Sequence, residues 1–346
     1  MKAFQFKAWQ QPAELVDVPV PEPGPGEVLI RIGGAGVCHS DLHIMHHWTV
    51  EQLPQLADWQ LPFTLGHENA GWIESGDTDE FEPGAPVVVA PGWNCNVCRA
   101  CRLGNTNACY ASREKRGHSG GLGRDGGFAE YMVAPIHCLV PLKDLEPWKA
   151  AALTDAGLSA YHAVKHCLPV LSPDMAAVVI GIGGLGHMAV QFLRELSGST
   201  IIAVDQDEKA LARASEMGAD LCLMPDENTA AEILAATSGI GAMAILDFVG
   251  ADATMALAAA AACKGGRIAI VGLGGGTFPL RFGALPYGCT VVTTMGGTTM
   301  ELAEVVALAE SGRVQPHIKK YRLDQAVDVY EKLKNNQITG RAVLVP

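Results

Sequence analysis

Apolar residues follow two rhythms along this chain. Up to about residue 140 they fall in short runs, such as Met1-Lys2-Ala3-Phe4-Gln5-Phe6, Glu27–Ile32 and Val87-Val88-Val89. Gly/Pro clusters at 19–26, 33–36, 82–84, 91–92 and 117–127 separate them. Many short strands cut by turn residues predict a small β-barrel or sandwich. From about 158 to 297 the rhythm changes. Buried strand runs at 176–180, 201–204, 242–248, 266–272 and 290–294 alternate with Ala-rich helical stretches, which predicts a doubly wound parallel sheet. The tail, 301–346, reads as a helix (302–311), a loop, a second helix (325–334) and a last strand (341–345).

The most informative stretch lies inside the second region. Strand 176–180 runs directly into Gly181-Ile182-Gly183-Gly184-Leu185-Gly186, and a helix follows over 187–196 with Met188, Val190, Phe192 and Leu193 apolar. The glycine spacing suits a tight turn, a close approach of backbone to a pyrophosphate and close packing of helix on strand. The next strand ends at Asp205, nineteen residues past Gly186, where an acid that binds a ribose is expected. The competing reading is a purely structural turn with a solvated Asp205.

Length and composition narrow the picture. With 346 residues, two domains are expected. The formal net charge of −12 and the lack of a Lys/Arg cluster argue against nucleic acid or an anionic membrane as partner. The start lacks the charged and apolar regions of a signal peptide, and no stretch is apolar enough to span a bilayer, so a soluble cytoplasmic protein is expected.

Ten cysteines are too few for a disulfide scaffold in a chain this long. Cys138, Cys167, Cys222, Cys263 and Cys289 are scattered through apolar segments and read as inert packing. Cys95, Cys98, Cys101 and Cys109 are different. Their C-x2-C-x2-C-x7-C spacing predicts a closed structural zinc site with four thiolates. Two disulfides are the alternative, and a reducing compartment disfavours them. Arg99, Arg102, Arg113 and Arg116 lie nearby but are not interleaved with aromatics, which argues against a zinc-ribbon nucleic-acid binder.

A second constellation is dispersed: Cys38 in Gly36-Val37-Cys38-His39-Ser40-Asp41, His67 in Gly66-His67-Glu68, and Asp155 before the first helix of the second region. Singly they also read as a packed thiol, a core histidine and a helix cap. Together with the four-cysteine lobe, the glycine turn with Asp205, and Gly340-Arg341-Ala342-Val343, they resemble the zinc-dependent medium-chain alcohol dehydrogenases, and most closely the bacterial secondary-alcohol branch. The resemblance covers the whole chain. It implies an α/β protein with a GroES-like β-barrel catalytic domain (1–157 and 298–346, lobe about 92–112) and an inserted Rossmann domain (158–297). It implies two zinc ions: one catalytic, on Cys38, His67 and Asp155 with Glu68 adjacent, and one structural, in the lobe. It places His39, Ser159, Gly184 and Arg341 at an NAD cofactor, Arg341 near the pyrophosphate, and it favours a homo-oligomer, a tetramer over a dimer.

The reaction expected is reversible oxidation of a small-molecule alcohol to an aldehyde or ketone, with protons leaving through Ser40, the cofactor ribose and His43. His46 and His47 follow closely enough to substitute for His43. Three departures stand out. The position usually holding a basic residue after the ribose acid is Ala210, with Lys209 before it. The stretch between Cys38 and His67, which carries Trp48 and Trp59, is longer than in the bacterial relatives, and Met295-Gly296 stands where those relatives carry bulky aromatics. These features predict a wide apolar pocket suited to bulky secondary alcohols. A surface or subunit-contact role for the longer loop is the alternative, as are a zinc-free quinone or enone reductase, or a non-catalytic nucleotide-binding scaffold, for the chain itself.

Overall fold

A computed structural model describes every residue except Gln52, Asp77, 111–118 and Pro279, and leaves the side chains of Pro54 and Gln55 undescribed. Arg113 and Arg116 therefore lie outside the described residues. The chain divides into two compact units: Met1–Leu158 with Gly296–Gly312 and Pro316–Pro346, and Ser159–Met295 with Arg313–Gln315.

The first unit is built on a seven-stranded sheet in which Leu139–Pro141, Pro86–Val89, Glu68–Gly76, Glu27–Gly36, Arg341–Val345 and Ile318–Arg322 lie side by side, with Tyr131–Pro135 also pairing on Glu27–Gly36. Most pairs are antiparallel, while the last two strands of the chain run parallel to each other. A smaller sheet joins Glu14–Asp17, Lys2–Phe6 and Phe63–Thr64. The alternation in Lys2–Phe6 turns Phe4 and Phe6 inward, onto Ile44, Phe63, Leu65, Phe128 and Val329. Glu27–Gly36 is the organising strand, because it carries neighbours from early, middle and late sequence. The end of the chain thereby lies beside residue 36.

The second unit is a parallel sheet of six strands: β1 (Ala176–Ile180), β2 (Thr200–Val204), β3 (Leu221–Leu223), β4 (Ala242–Asp247), β5 (Ala262–Ile270) and β6 (Thr290–Thr293). Their spatial order is β3-β2-β1-β4-β5-β6, the doubly wound arrangement of dinucleotide-binding sheets. All five residues of β1 are buried, as a central parallel strand covered on both faces requires. The expected strands and tail helices are present with small shifts at their ends, for instance helices Thr299–Glu310 and Ala326–Lys334. Among the described residues no helix is long and apolar enough to cross a membrane.

Candidate active site

Strand pairing assembles the first cluster. Gly36 faces Glu68 across Glu27–Gly36 and Glu68–Gly76, and a Cβ at Gly36 would lie 1.9 Å from Glu68 Oε2. Glycine is needed there because the Glu68 carboxylate fills the space. One residue on, Val37 N–H donates to Ala342 O (2.9 Å), which seats Cys38 beside Arg341. His67 ends the loop before Glu68–Gly76, and Asp155 precedes helix Ala156–Cys167.

The donor atoms of Cys38, His67, Glu68 and Asp155 all lie within 4.8 Å of one another. Asp155 Oδ2 is 3.5 Å from Cys38 Sγ and 3.7 Å from His67 Nε2. Zinc bonds of roughly 2.0–2.3 Å in tetrahedral geometry place donors about 3.3–3.8 Å apart, so both separations from Asp155 suit that ion. The electrostatics agree. Asp41, Glu68 and the Cys38 thiol are buried together, with the Arg341 guanidinium paired to Glu68 and His67 beside Asp41. Carboxylates crowded out of water are costly unless a cation joins them. Arg341 Nε donates to Glu68 Oε2 (3.1 Å), its Nη2 also meets Glu68 Oε1, and Nη2 is 3.6 Å from Asp155 Oδ2. Burial raises the Cys38 pKa, but Arg341 and His67 draw it down to a net value below the usual thiol range. Burial also opposes charge on His67, and Asp41 and Asp155 outweigh it, raising that imidazole well above its usual value.

Ser40 Oγ lies 3.5 Å from Cys38 Sγ, on the turn His39–Leu42. His39 is exposed on the same turn. The next turn, His43–His47, is wound more loosely than an α-helix and holds His43 half-buried, stacked on Trp48 with centroids 5.6 Å apart. Burial, and then His47, lower the His43 pKa, which favours the neutral ring. His46 and His47 are exposed.

Two groups behind this cluster carried no assignment from sequence. Asp41 is fully buried, accepts the Cys38 N–H (3.0 Å) through Oδ2, and sets Oδ1 3.2 Å from His67 Nδ1. Tyr330, from the tail helix, donates its hydroxyl to the same Oδ2 (2.9 Å). An acid within the Cys38 motif was a visible signal for Asp41. For Tyr330 there was none.

The four lobe cysteines also converge. Sγ separations are 3.5 Å for Cys98–Cys101, 3.5 Å for Cys95–Cys109 and 4.0 Å for Cys98–Cys109, close to the edges of a four-thiolate zinc tetrahedron. Backbone N–H groups point at the sulfurs: Cys95 N at Cys109, Cys98 N at Cys95 and Tyr110 N at Cys98, each 3.4 Å away. Such donors favour thiolate, and the Cys101 and Tyr110 N–H groups bring Cys98 down to about 6.

In the second unit the glycine turn joins β1 to helix Gly186–Leu196. A Cβ on Gly186 would lie 1.9 Å from Gly181 O, whereas one on Gly183 would meet nothing within 4 Å. Gly186 thus serves packing, while Gly183 keeps open the approach to a helix N-terminus that no side chain caps. A helix N-terminus left open in this way can hold a pyrophosphate. Gly184 lies in the same turn, and buried Ser159 lies on helix Ala156–Cys167. Asp205 accepts from Ile182 N (2.6 Å) and Asp207 N (2.8 Å), which ties the end of β2 to the turn. Ala210 is buried, leaving Lys209 outside.

The expected pocket residues have further local roles. Trp59 stands between Trp9 (6.0 Å) and Phe63 (5.6 Å), and both Trp48 and Trp59 pack on the core of the first unit. Gly296 has φ +61°, a conformation that favours glycine whatever the space around it, and Met295 is exposed.

Family models match in two blocks, the alcohol dehydrogenase GroES-like domain over 24–144 and the zinc-binding dehydrogenase over 184–311. A D-arabinose 1-dehydrogenase (NADP(+)) of Saccharolobus solfataricus is 36% identical over 100% of this chain and 97% of its own. An NAD-dependent alcohol dehydrogenase of Sulfurisphaera tokodaii is also 36% identical, over all of both chains. The chain belongs to the zinc-type medium-chain alcohol dehydrogenases. Among solved structures of this family, the alcohol dehydrogenase of Aeropyrum pernix superposes with a TM-score of 0.91 at 34% identity, covering both chains completely. The acetophenone reductase of Geotrichum candidum, solved with NAD, gives 0.85 at 30%, covering 100% of this chain and 97% of its own. Membership makes this chain an alcohol dehydrogenase, an oxidoreductase that uses a nicotinamide cofactor and acts on small molecules. Its first unit is GroES-like and its second is Rossmann-like.

Proposed function

We propose that this dehydrogenase is zinc-dependent and NAD-linked, and that it interconverts bulky secondary alcohols and ketones. The observation that carries the reading is the convergence of Cys38 Sγ, His67 Nε2 and Asp155 Oδ2 at zinc-like separations, with Ser40 beside them. A zinc ion held there supplies Lewis acidity, lowering the pKa of a hydroxyl at its open position and, in reverse, polarising a carbonyl. The chain's own groups move the proton. Ser40 can accept and donate through one oxygen. His43, held neutral by burial and by His47, takes the proton onward to solvent, with His46 and His47 exposed on the same turn. Glu68 and Arg341 neutralise each other beside the ligands and hold them in place. The lobe cysteines hold a second, structural zinc.

Asp205 favours NAD, since its charge repels a 2′-phosphate and Gln206, Asp207 and Glu208 supply no arginine. The arabinose dehydrogenase relative is NADP-dependent by name, which makes this point worth testing. The aromatic loop at 48–63, and Met295-Gly296 in place of large rings, support the bulky-substrate reading, as does the aryl ketone named for the Geotrichum relative. A homo-oligomer is part of the proposal. The test is kcat/KM over a panel from acetone through acetophenone to benzophenone, with D-arabinose included. Each methylene accommodated is worth roughly 1–3 kcal/mol, so an open pocket should favour the aryl ketones by orders of magnitude. A preference for acetone or for the aldose would overturn the substrate class.

A further inference from the structure

We infer that Tyr330 is a positioning residue for the catalytic metal: its hydroxyl, delivered by the tail helix, fixes the Asp41 carboxylate that orients His67. The inference rests on the zinc reading above and extends it to a residue 289 positions away from Asp41.

Asp41 is entirely buried, so its carboxylate is held by protein donors. Oδ2 receives two of them, the Cys38 N–H at 3.0 Å and the Tyr330 O–H at 2.9 Å, which leaves Oδ1 3.2 Å from His67 Nδ1, at ion-pair distance and short of hydrogen-bond alignment. The Cys38 N–H belongs to a metal ligand and moves with it. Tyr330 is the independent anchor. Its ring is fixed on two sides, stacked on Phe4 (centroids 5.9 Å, interplanar 18°) and edge-on to Phe128 (6.3 Å, 77°), and both are core residues. Aromatic packing thus sets the hydroxyl, the hydroxyl sets the carboxylate plane, and the plane sets the imidazole. Groups that orient a ligating histidine typically change metal affinity 10- to 100-fold when lost. Tyr330 acts one step further out, so about tenfold is expected.

The test is Tyr330→Phe in the full-length zinc-loaded protein, which removes one oxygen and keeps the ring. Zinc release to a chelator is followed at fixed pH, with the lobe zinc as internal reference, and the cobalt(II)-substituted protein gives absorption bands that report ligand geometry. Release from the Cys38 site should quicken about tenfold and the cobalt bands should shift, while lobe release stays unchanged. In an Asp41→Asn background, Tyr330→Phe should add nothing, because its route has been cut. Equal acceleration at both sites would mean general loosening and overturn the inference. So would unchanged release and spectrum. Cys38→Ser serves as the control: if it still holds two zinc ions, the zinc reading fails and takes the inference with it; if it holds one, failure in Tyr330→Phe counts against the inference alone.

Discussion

A methyl group added at Gly183 and one added at Gly186 should have opposite consequences. At Gly186 the new Cβ would lie 1.9 Å from Gly181 O, more than 1 Å inside contact distance. Helix Gly186–Leu196 must then shift off β1, and overpacking of this kind costs roughly 1–3 kcal/mol. At Gly183 the Cβ meets nothing within 4 Å and the backbone is not left-handed, so folding should be unharmed and is expected to gain about 0.4–1 kcal/mol from a stiffer unfolded chain. That open space is what the pyrophosphate requires. Displacing it by a methyl group forfeits at least one charge-assisted hydrogen bond, worth about 1.5–3 kcal/mol, or roughly 10- to 150-fold in affinity. Urea denaturation gives the stabilities, and NADH fluorescence titration gives Kd. Gly183→Ala should unfold at or above the wild-type midpoint with Kd raised at least tenfold, and Gly186→Ala should unfold earlier. Wild-type NADH affinity in a well-folded Gly183→Ala protein would refute the reasoning, because the open space would then not be the pyrophosphate's.

Cys38→Ser should abolish turnover and lose one zinc of two with the fold intact, whereas Cys101→Ser should lose the lobe zinc and lower the urea midpoint, since structural metal binding is coupled to folding; metal analysis with urea melts checks both. Asp205→Gly should raise the NADP/NAD ratio of kcat/KM by about a hundredfold, the worth of removing a like-charge contact of several kcal/mol, and should weaken NAD as well because Ile182 N loses its acceptor. In the oxidation direction His43 must be neutral to accept a proton, so kcat falls as pH drops through its pKa. Burial and His47 hold that pKa below the usual imidazole value, so the decline should begin only at lower pH. His43→Gln should remove this acid limb and cost about a hundredfold in kcat at neutral pH, and superimposable pH profiles would exclude His43 from the proton path.

What the sequence made legible divides along physical lines. Parallel strands buried on both faces read as continuous apolar runs, so β1 and β2 were placed within a residue of their ends. The two clusters of possible metal donors were anticipated by different routes, the lobe cysteines from their spacing and Cys38, His67 and Asp155 only through the resemblance. Local turn chemistry was harder. The loose turn His43–His47 and the left-handed Gly296 arise from backbone geometry that side-chain patterns do not encode. Long-range pairing was harder still. The resemblance directs Arg341 to a pyrophosphate, and the structure seats its guanidinium on Glu68 and near Asp155, because Arg341–Val345 pairs beside Glu27–Gly36. The same pairing holds the tail within reach of Asp41. Arg341 and Tyr330, eleven residues apart, thus reach different members of one cluster, Glu68 and Asp155 for the first and Asp41 beside His67 for the second. A tail that contributes none of the expected metal ligands is thereby bound up with their geometry. Changes in the 326–345 segment should accordingly be felt at the metal as well as in the stability of the sheet.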